Sequence, residues 1–519
     1  MSTRAQPFAR HRGSRSPRAL TAIAACVASF SLIPVAYVAI RAAGGSFVTT
    51  LADQRVAGLA ARSVLLTLLV TATAVVVGVT CAWLTERTDL PGARVWSILL
   101  ALPLAIPSTV GAYAVLAGFG ARGSIASWIP APIGLTGAWL VLSFVTYPYV
   151  FLAVRAGFAG LDPASEEAAR SLGRSRAGAF RAVTLVQLRP SIMAGGTLAG
   201  LYTLHDFGAV SLLGYDTFTR AIFLRYNASF DRTGAAALSV VLVVLCVAVL
   251  AIDWRTRARG GYHRSSPGSR RTAPRAPLGA WRAAGFAFVS VPVVAGLGVP
   301  IAVIGSWLAR AGVERSFAVG AAARSVLTAC AAGLLCVVLG WPVAWLSARY
   351  RGIGPAVIER ATYAGFALPG LVVGLAMIVF ILRVAPSLYQ TLAALLAAYV
   401  VLALSHAVGP MRASMLTLPP SMEEAAASLG AGRVTTLRRV VFPLVRPGVA
   451  AGAALVILTV MKELPATLLL APTGFDTLAT RIWSVTNAGS YGRAALHALA
   501  LIALASVPLG ILLVREDRP

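Results

Sequence analysis

The sequence predicts an all-α integral membrane protein of about twelve transmembrane helices arranged as two homologous six-helix halves. Three observations predict it. Of 519 residues, 58% are hydrophobic and only 12% are charged, about half the charged share of a soluble domain, so most of the outer surface must face lipid. Apolar runs of span length recur along the whole chain. The second part of the chain then repeats the first, motif by motif.

A hydrocarbon core of about 30 Å needs roughly twenty apolar residues in a helix. That ruler places six spans at 20–42, 60–84, 96–119, 134–155, 191–213 and 234–253. Six more fall at 283–308, 324–347, 361–383, 391–411, 448–471 and 493–514. The domain division expected from them is a tail over 1–19, a first six-span domain over 20–253, a linker over 254–282 and a second six-span domain over 283–519. The first apolar run has span length, and Tyr37 to Arg41 makes a poor cleavage site, so it reads as a retained helix rather than a signal peptide. Pro103, Pro107, Pro342 and Pro369 lie within or at the ends of spans. Neighbouring helices can satisfy the backbone groups they free, and ordinary packing is the expected reason for them.

The formal charge of +27 would suit a nucleic-acid partner, but its distribution does not. Basic residues gather between apolar runs, as in Arg4 to Arg18 and Arg255 to Arg282, with no groove of interleaved aromatic and basic residues. Positive charge retained on the cytoplasmic side explains them. With the N-terminus inside and spans alternating, roughly two thirds of the basic residues fall inside, and both termini are expected to be cytoplasmic. Cys26, Cys81, Cys246, Cys330 and Cys336 lie in apolar runs without a CxxC pair. They read as small buried hydrophobes, not a disulfide or metal framework.

The internal repeat is detailed. Ala61-Arg62-Ser63-Val64-Leu65 returns as Ala323-Arg324-Ser325-Val326-Leu327, and Ala82-Trp83-Leu84 as Ala344-Trp345-Leu346. Both are offset by 262 (324 − 62 and 345 − 83). Tyr215-Asp216-Thr217 is echoed by Phe475-Asp476-Thr477. An even number of spans per half gives both repeats the same orientation, unlike an inverted-repeat transporter.

Between the fourth and fifth spans of each half runs the longest shared element. It reads Glu166-Glu167-Ala168-Ala169-Arg170-Ser171-Leu172-Gly173 in the first half and Glu423-Glu424-Ala425-Ala426-Ala427-Ser428-Leu429-Gly430 in the second. Each copy continues to Arg-Pro, at Arg189-Pro190 and Arg446-Pro447, and the interval from Gly to Pro is 17 in both (190 − 173 and 447 − 430). These residues predict a short amphipathic helix on the cytoplasmic face. Asp162-Pro163 would supply an N-cap and first-turn proline, and Ser421 with Glu424 has capping-box spacing. First-turn acids complement the helix dipole, and Gly173 and Gly430 permit the left-handed residue that ends a helix.

The pattern E-E-A-A-x-S-L-G, followed by Leu/Phe-Pro and Arg-Pro, resembles the EAA loop of permeases in bacterial binding-protein-dependent ABC importers. The resemblance covers the chain from about Val64 to Val514, and the fused pair of halves is similar to the ferric-iron type. It implies that the loop helices, through Glu167, Ala168, Gly173, Glu424, Ala425 and Gly430, dock into an ABC ATPase dimer. It also implies an extracytoplasmic substrate-binding protein as partner, the inner or plasma membrane as location, and no cofactor. One departure stands out: the Leu-Pro proline matches Pro443, but the first copy has Val186 there. With no GxxxxGK[ST] phosphate loop, ATP hydrolysis is expected on a separate subunit. Thiamine, phosphonate and polyamine are the alternative cargoes. A major-facilitator-type transporter also has twelve spans in two parallel repeats, but the segment Thr85 to Arg94 lacks the spacing of its signature loop.

Ionisable residues inside spans are costly and usually face a cavity or a partner. At 1.5 Å per residue, His205 lies about 22 Å from Pro190, and Lys462 equally far from Pro447. Tyr202, His205, Asp206, Lys462 and Glu463 are therefore candidate pathway residues, with His205-Asp206 and Lys462-Glu463 on equivalent helices where they could line the passage or latch its outer gate; the alternative is that Lys462 pairs with a neighbouring carboxylate to stabilise the bundle. The few carboxylates show no metal-ligand spacing, so no metal site is expected.

Overall fold

The computed structural model describes residues 17–43, 54–121, 123–161, 163–258, 275–311, 315–350 and 352–516. These are helical throughout, with only isolated bridges at Thr88–Ala276 and Phe119–Ala126. The first repeat runs α1 (Arg18–Ser31), α2 (Ile33–Ala42), α3 (Gln54–Arg87), α4 (Ala93–Ala101), α5 (Ser108–Gly118), α6 (Gly134–Ala159), α7 (Pro163–Ser171), α8 (Leu185–His205), α9 (Gly208–Leu212), α10 (Phe218–Asn227) and α11 (Arg232–Ala258). The second follows in the same order: α12 (Arg282–Val293), α13 (Val299–Ala311), α14 (Arg315–Arg349), α15 (Ile353–Thr362), α16 (Gly370–Val384), α17 (Leu392–Thr417), α18 (Pro420–Ser428), α19 (Phe442–Met461), α20 (Pro465–Leu470), α21 (Leu478–Asn487) and α22 (Tyr491–Glu516).

Among the described residues, eight helices are long and apolar enough to cross a membrane, or eleven if each bent pair counts as one span. Leu68, Val76, Leu334 and Val338 stand exposed on α3 and α14, as expected of faces that lipid covers. Three expected spans are not straight: the pair over 18–41 bends by 45°, and two others bend far more sharply. The pair over 93–118 bends by 90° and the pair over 353–384 by 109°. Each of these two breaks falls at a proline that the sequence reading assigned to ordinary packing. Ile106 and Leu368 are extended (ψ 119° and 136°) because the ring of Pro107 or Pro369 clashes with a helical residue before it. Pro342, by contrast, sits inside α14 without ending it. The spans expected at 191–213 and 448–471 also stop early, at His205 and Met461, each followed by a separate short helix.

The chain forms two compact units, and both are discontinuous in sequence. One comprises 45–318 with 481–502, the other 1–44 with 319–480 and 503–519. They differ from the expected domains 20–253 and 283–519, which are the units of repetition. In the first unit, α3, α6 and α8 pack together around Tyr147, Phe151 and Leu188. Glycines make the approach close: a Cβ on Gly78 would lie 2.7 Å from Val150 Cβ, and one on Gly195 2.5 Å from Val150 Cα. Small residues at such crossings let helix backbones meet in lipid. The opening span of the second repeat belongs to this unit. Val303 seats against Gly118, Trp307 Nε1 donates to the Ala117 carbonyl at 2.8 Å, and Phe286 meets Trp96 edge to face. In the other unit, α1 packs on α15 and α17, and α2 on α16.

Of the expected linker, the start is helical to Ala258, and 259–274 lie outside the described residues. Cys81, Cys246 and Cys336 are buried as expected, whereas Cys26 and Cys330 are exposed. Their helices turn those faces outward, where an apolar thiol suits lipid as well as a core.

Candidate functional site

The first loop helix, α7, has one held face and one offered face. Pro163 and Ala169 are buried. The Glu166 carboxylate accepts from Arg87, at the end of α3, and from Thr184 Oγ1 at 2.8 Å. The Arg87 guanidinium also lies 5.7 Å above the Phe158 ring. Glu167, Ala168 and Ser171 point outward, and Leu172 is 85% exposed. The helix ends in a Schellman motif, with Gly173 N donating to Arg170 O at 3.0 Å and Arg174 N to Ala169 O at 3.2 Å. This closure satisfies the last carbonyls and needs a left-handed residue. Gly173 supplies it at φ +86°, with no atom within 4 Å of where its Cβ would be. Asp162, the expected N-cap, lies outside the described residues.

The second loop helix, α18, repeats this construction. Arg349, at the end of α14, pairs with Glu423, donates to Leu418 O at 2.9 Å and lies over the Trp345 ring. Ala426 is buried, while Glu424 and Ala425 are exposed and Leu429 is 87% exposed. Gly430, at φ +81°, donates to Ala427 O, and Ala431 N donates to Ala426 O, both at 3.0 Å. The expected capping box is absent. The helix starts at Pro420 behind Pro419, no side chain caps it, and Ser421 is already its second residue. Tandem prolines set this start by fixing φ, and the Pro419 carbonyl accepts from Met422 N at 3.1 Å. After each loop the chain passes through a short π-helical turn, Phe180–Thr184 or Leu437–Val441. Val186 and Pro443 then occupy the same second position of α8 and α19, so the sequence departure leaves the backbone path alike.

The two acid pairs thus divide their labour. Glu166 and Glu423 tie each helix to a spanning helix, and Glu167 and Glu424 face outward. The sequence reading missed the anchors Arg87 and Arg349, although a signal existed. Both stand four residues after the repeated tryptophan, at the same offset of 262 (349 − 87).

The candidate pathway residues flank the breaks that follow α8 and α19. Asp206 Oδ1 accepts from Ala209 N at 2.9 Å and Val210 N at 3.3 Å. Glu463 Oε1 accepts from Ala466 N at 3.1 Å. Each carboxylate therefore caps the short helix that follows. The geometry is tight around Glu463, whose Oε1 would lie 2.5 Å from a Cβ on Gly370. His205 is the last residue of α8 and Lys462 follows α19; both are half-buried. Tyr202 stacks at a tilt on Tyr149, with centroids 5.9 Å apart.

The other repeated motifs meet beyond these breaks. Ser63 Oγ accepts from Phe218 N at 3.2 Å, and its repeat Ser325 from Leu478 N at 2.8 Å. Arg62 pairs with Asp216 at 3.4 Å, and Arg324 donates to Gly474 O at 3.0 Å. The Ala-Arg-Ser repeat is therefore the clasp for the Asp-Thr repeat, which begins α10 and α21.

Residues 336–515 match the family described as the binding-protein-dependent transport system inner membrane component. The chain is 32% identical over 511 residues to the Fe(3+)-transport system permease protein FbpB 2 of Haemophilus influenzae, covering 96% of this chain and 98% of that protein. Similarity to the molybdenum transport system permease protein ModB of Escherichia coli is also 32%, over 38% of this chain and 93% of that one. For the sulfate transport system permease protein CysW of Synechocystis the identity is 30%, over 45% and 88%. Less than half of this chain thus spans nearly all of the shorter relatives, as the internal repeat would have it.

Proposed function

Starting from a chain that belongs to the binding-protein-dependent transport permeases of ABC importers, and is a transport subunit rather than an enzyme, we propose that its cargo is ferric iron. The observation that carries this is the end-to-end similarity to a permease named for Fe(3+) transport. A second reading, a molybdenum or sulfate cargo, has the support of the shorter relatives, each matched over less than half of this chain.

In the proposed mechanism α7 and α18 are the coupling helices, docking on two protomers of a separate ATPase. Their outward faces support it: an exposed Glu, an exposed Ala and an almost fully exposed Leu at equivalent positions. Small side chains beside one protruding leucine suit insertion into a cleft, where its burial would contribute roughly 2 kcal/mol. The salt bridges to Arg87 and Arg349 would carry the resulting push into α3 and α14. An extracytoplasmic binding protein would deliver cargo on the opposite side, with both termini cytoplasmic. His205, Lys462 and Tyr202 would face the passage, since ionisable groups at membrane depth are usually turned to a cavity, while Asp206 and Glu463 shape the helix breaks beside it.

The test is uptake in a deletion strain supplied with labelled ferric iron, molybdate or sulfate. Loss of iron uptake alone, restored by the wild-type gene but not by Gly173→Asp with Gly430→Asp, supports cargo and coupling together. Normal iron uptake with lost molybdate or sulfate uptake overturns the cargo. Unchanged ATPase co-purification with the double mutant overturns the docking role.

A further inference from the structure

Beside α7, within the unit formed by 45–318, lies a cavity of about 680 Å³. That is within the usual range of ligand pockets, roughly 300–1,000 Å³. Its chemistry has two zones. The apolar zone is formed by Val79 and Trp83 of α3 and by Phe180 and Leu185 at the start of the following span, with Trp83 and Phe180 edge to face at 6.3 Å. The charged zone holds Arg170, Arg176, Arg181 and Arg275. None of these four is ion-paired among the described residues, and all are exposed. Arg87 and Glu166 also line the cavity but neutralise each other, which leaves Glu167 as the single counter-charge.

We propose that this cavity binds one anionic phospholipid. Its phosphate would sit among the four arginines, and the upper acyl chain would lie on Trp83 and Val79. Basic pockets at the cytoplasmic ends of spanning helices suit such headgroups, and an arginine fork matches phosphate geometry. The apolar zone continues along α3, a spanning helix, which favours a ligand with a tail over a free anion.

The repeat supplies an internal control. At the equivalent place in the second half, Trp341 replaces Val79 (341 − 79 = 262) and Phe442 replaces Leu185 (442 − 185 = 257). Trp341 stacks on Trp345 at 6.3 Å and meets Phe442 at 6.2 Å, so aromatic rings take up this space. Ala427 stands in place of Arg170. Arg433 and Arg438 stand in place of Arg176 and Arg181, so the halves share part of the charged zone and differ in the apolar zone and at Arg170.

The test uses the full-length protein in nanodiscs of mixed phosphatidylglycerol and phosphatidylcholine, with retained lipid identified by native mass spectrometry. Two variants are compared. Arg176→Gln with Arg181→Gln removes charge, and Val79→Trp with Leu185→Phe copies the second half. The wild type is expected to retain one phosphatidylglycerol, and the arginine variant to bind it about thirtyfold more weakly, from about 1 kcal/mol for each of the two arginines at a tenfold change per 1.4 kcal/mol. The filled variant is expected to retain none. Retention without headgroup preference, or undiminished retention in the arginine variant, overturns the proposal. So does displacement of the bound lipid by millimolar inorganic phosphate, which would identify a free-anion site. Should the filled variant fail to fold, the arginine variant alone decides.

Discussion

Replacing Glu166 by Gln should loosen α7 selectively. A nine-residue helix has no stability of its own in water, so α7 persists through its attachments. The strongest visible one is the carboxylate that accepts from both Arg87 and Thr184. Bonds to charged groups are worth about 1.5–3 kcal/mol. The side chains are 14% and 24% exposed, so solvent screening places the value near the lower end, at about 1.5 kcal/mol. That corresponds to about a tenfold rise in the local opening constant. The same change at Glu423 should be milder, about fivefold, because Arg349 keeps its bond to Leu418 O. Hydrogen exchange resolved by mass spectrometry reads both segments, 163–172 and 420–429, in one experiment. Exchange should rise in the mutated loop helix and stay unchanged in α3 and α14. The charge swap Arg87→Glu with Glu166→Arg should recover part of the protection lost in either single mutant. Exchange within twofold of wild type in Glu166→Gln, or no recovery in the swap, would refute the anchoring argument.

Three further outcomes are expected. Ser63→Ala and Ser325→Ala each leave a buried backbone N–H, of Phe218 or Leu478, without its acceptor, and should cost about 1–3 kcal/mol, read as a lowered melting temperature in detergent. Gly195→Ala should destabilise by about 1–3 kcal/mol through overpacking, because its Cβ would meet backbone of α6, whereas Gly305→Ala, with nothing within 4 Å, should be tolerated in the same assay. Asp89 holds the 275–278 segment through Leu278 N at 2.8 Å and pairs with Arg282. The Arg282 bond holds the Asp89 carboxyl below the usual carboxylate range, so the tether is present above about pH 4 and weakens as pH falls further. Limited proteolysis near 275–278 should then rise on acidification in the wild type and be already raised, and insensitive to acid, in Asp89→Ala.

Much of the fold was legible because span length and repetition are one-dimensional signals. The apolar runs mark where helices are, and the 262-residue offset pairs α3 with α14 without reference to packing. The bends were not legible. Pro103, Pro107, Pro342 and Pro369 look alike in sequence, yet only Pro107 and Pro369 stand where the chain turns by 90° or more. A proline inside a span is tolerated if neighbours satisfy the freed carbonyl, and that depends on tertiary context. The composition of the compact units was hidden for the same reason. Nothing in 283–308 announces that its glycine-matched partner is Gly118, because Val303 and Gly118 are unremarkable residues whose fit is purely one of shape.

The site was legible where chemistry repeats and illegible where identical residues do different work. The two adjacent glutamates of each loop read alike as first-turn acids, but consecutive helical residues diverge by about 100°, and here one turns inward while the other faces out. The inward one then needs a cation, and repeated Arg87 and Arg349 were available to a reader who asked which basic residue recurs with the acids. Asp206 and Glu463 teach the converse. As charges at membrane depth they read as pathway groups, yet each spends an oxygen on a helix N-terminus, and a carboxylate so engaged is a weak ligand for passing cargo. The break itself makes the cap necessary: where α8 and α19 end and a new short helix begins, its N-terminus exposes backbone donors that need acceptors. The two carboxylates therefore serve the helix starts that follow them, whereas His205 and Lys462, beside them at the ends of α8 and α19, belong to the passage in the proposed mechanism.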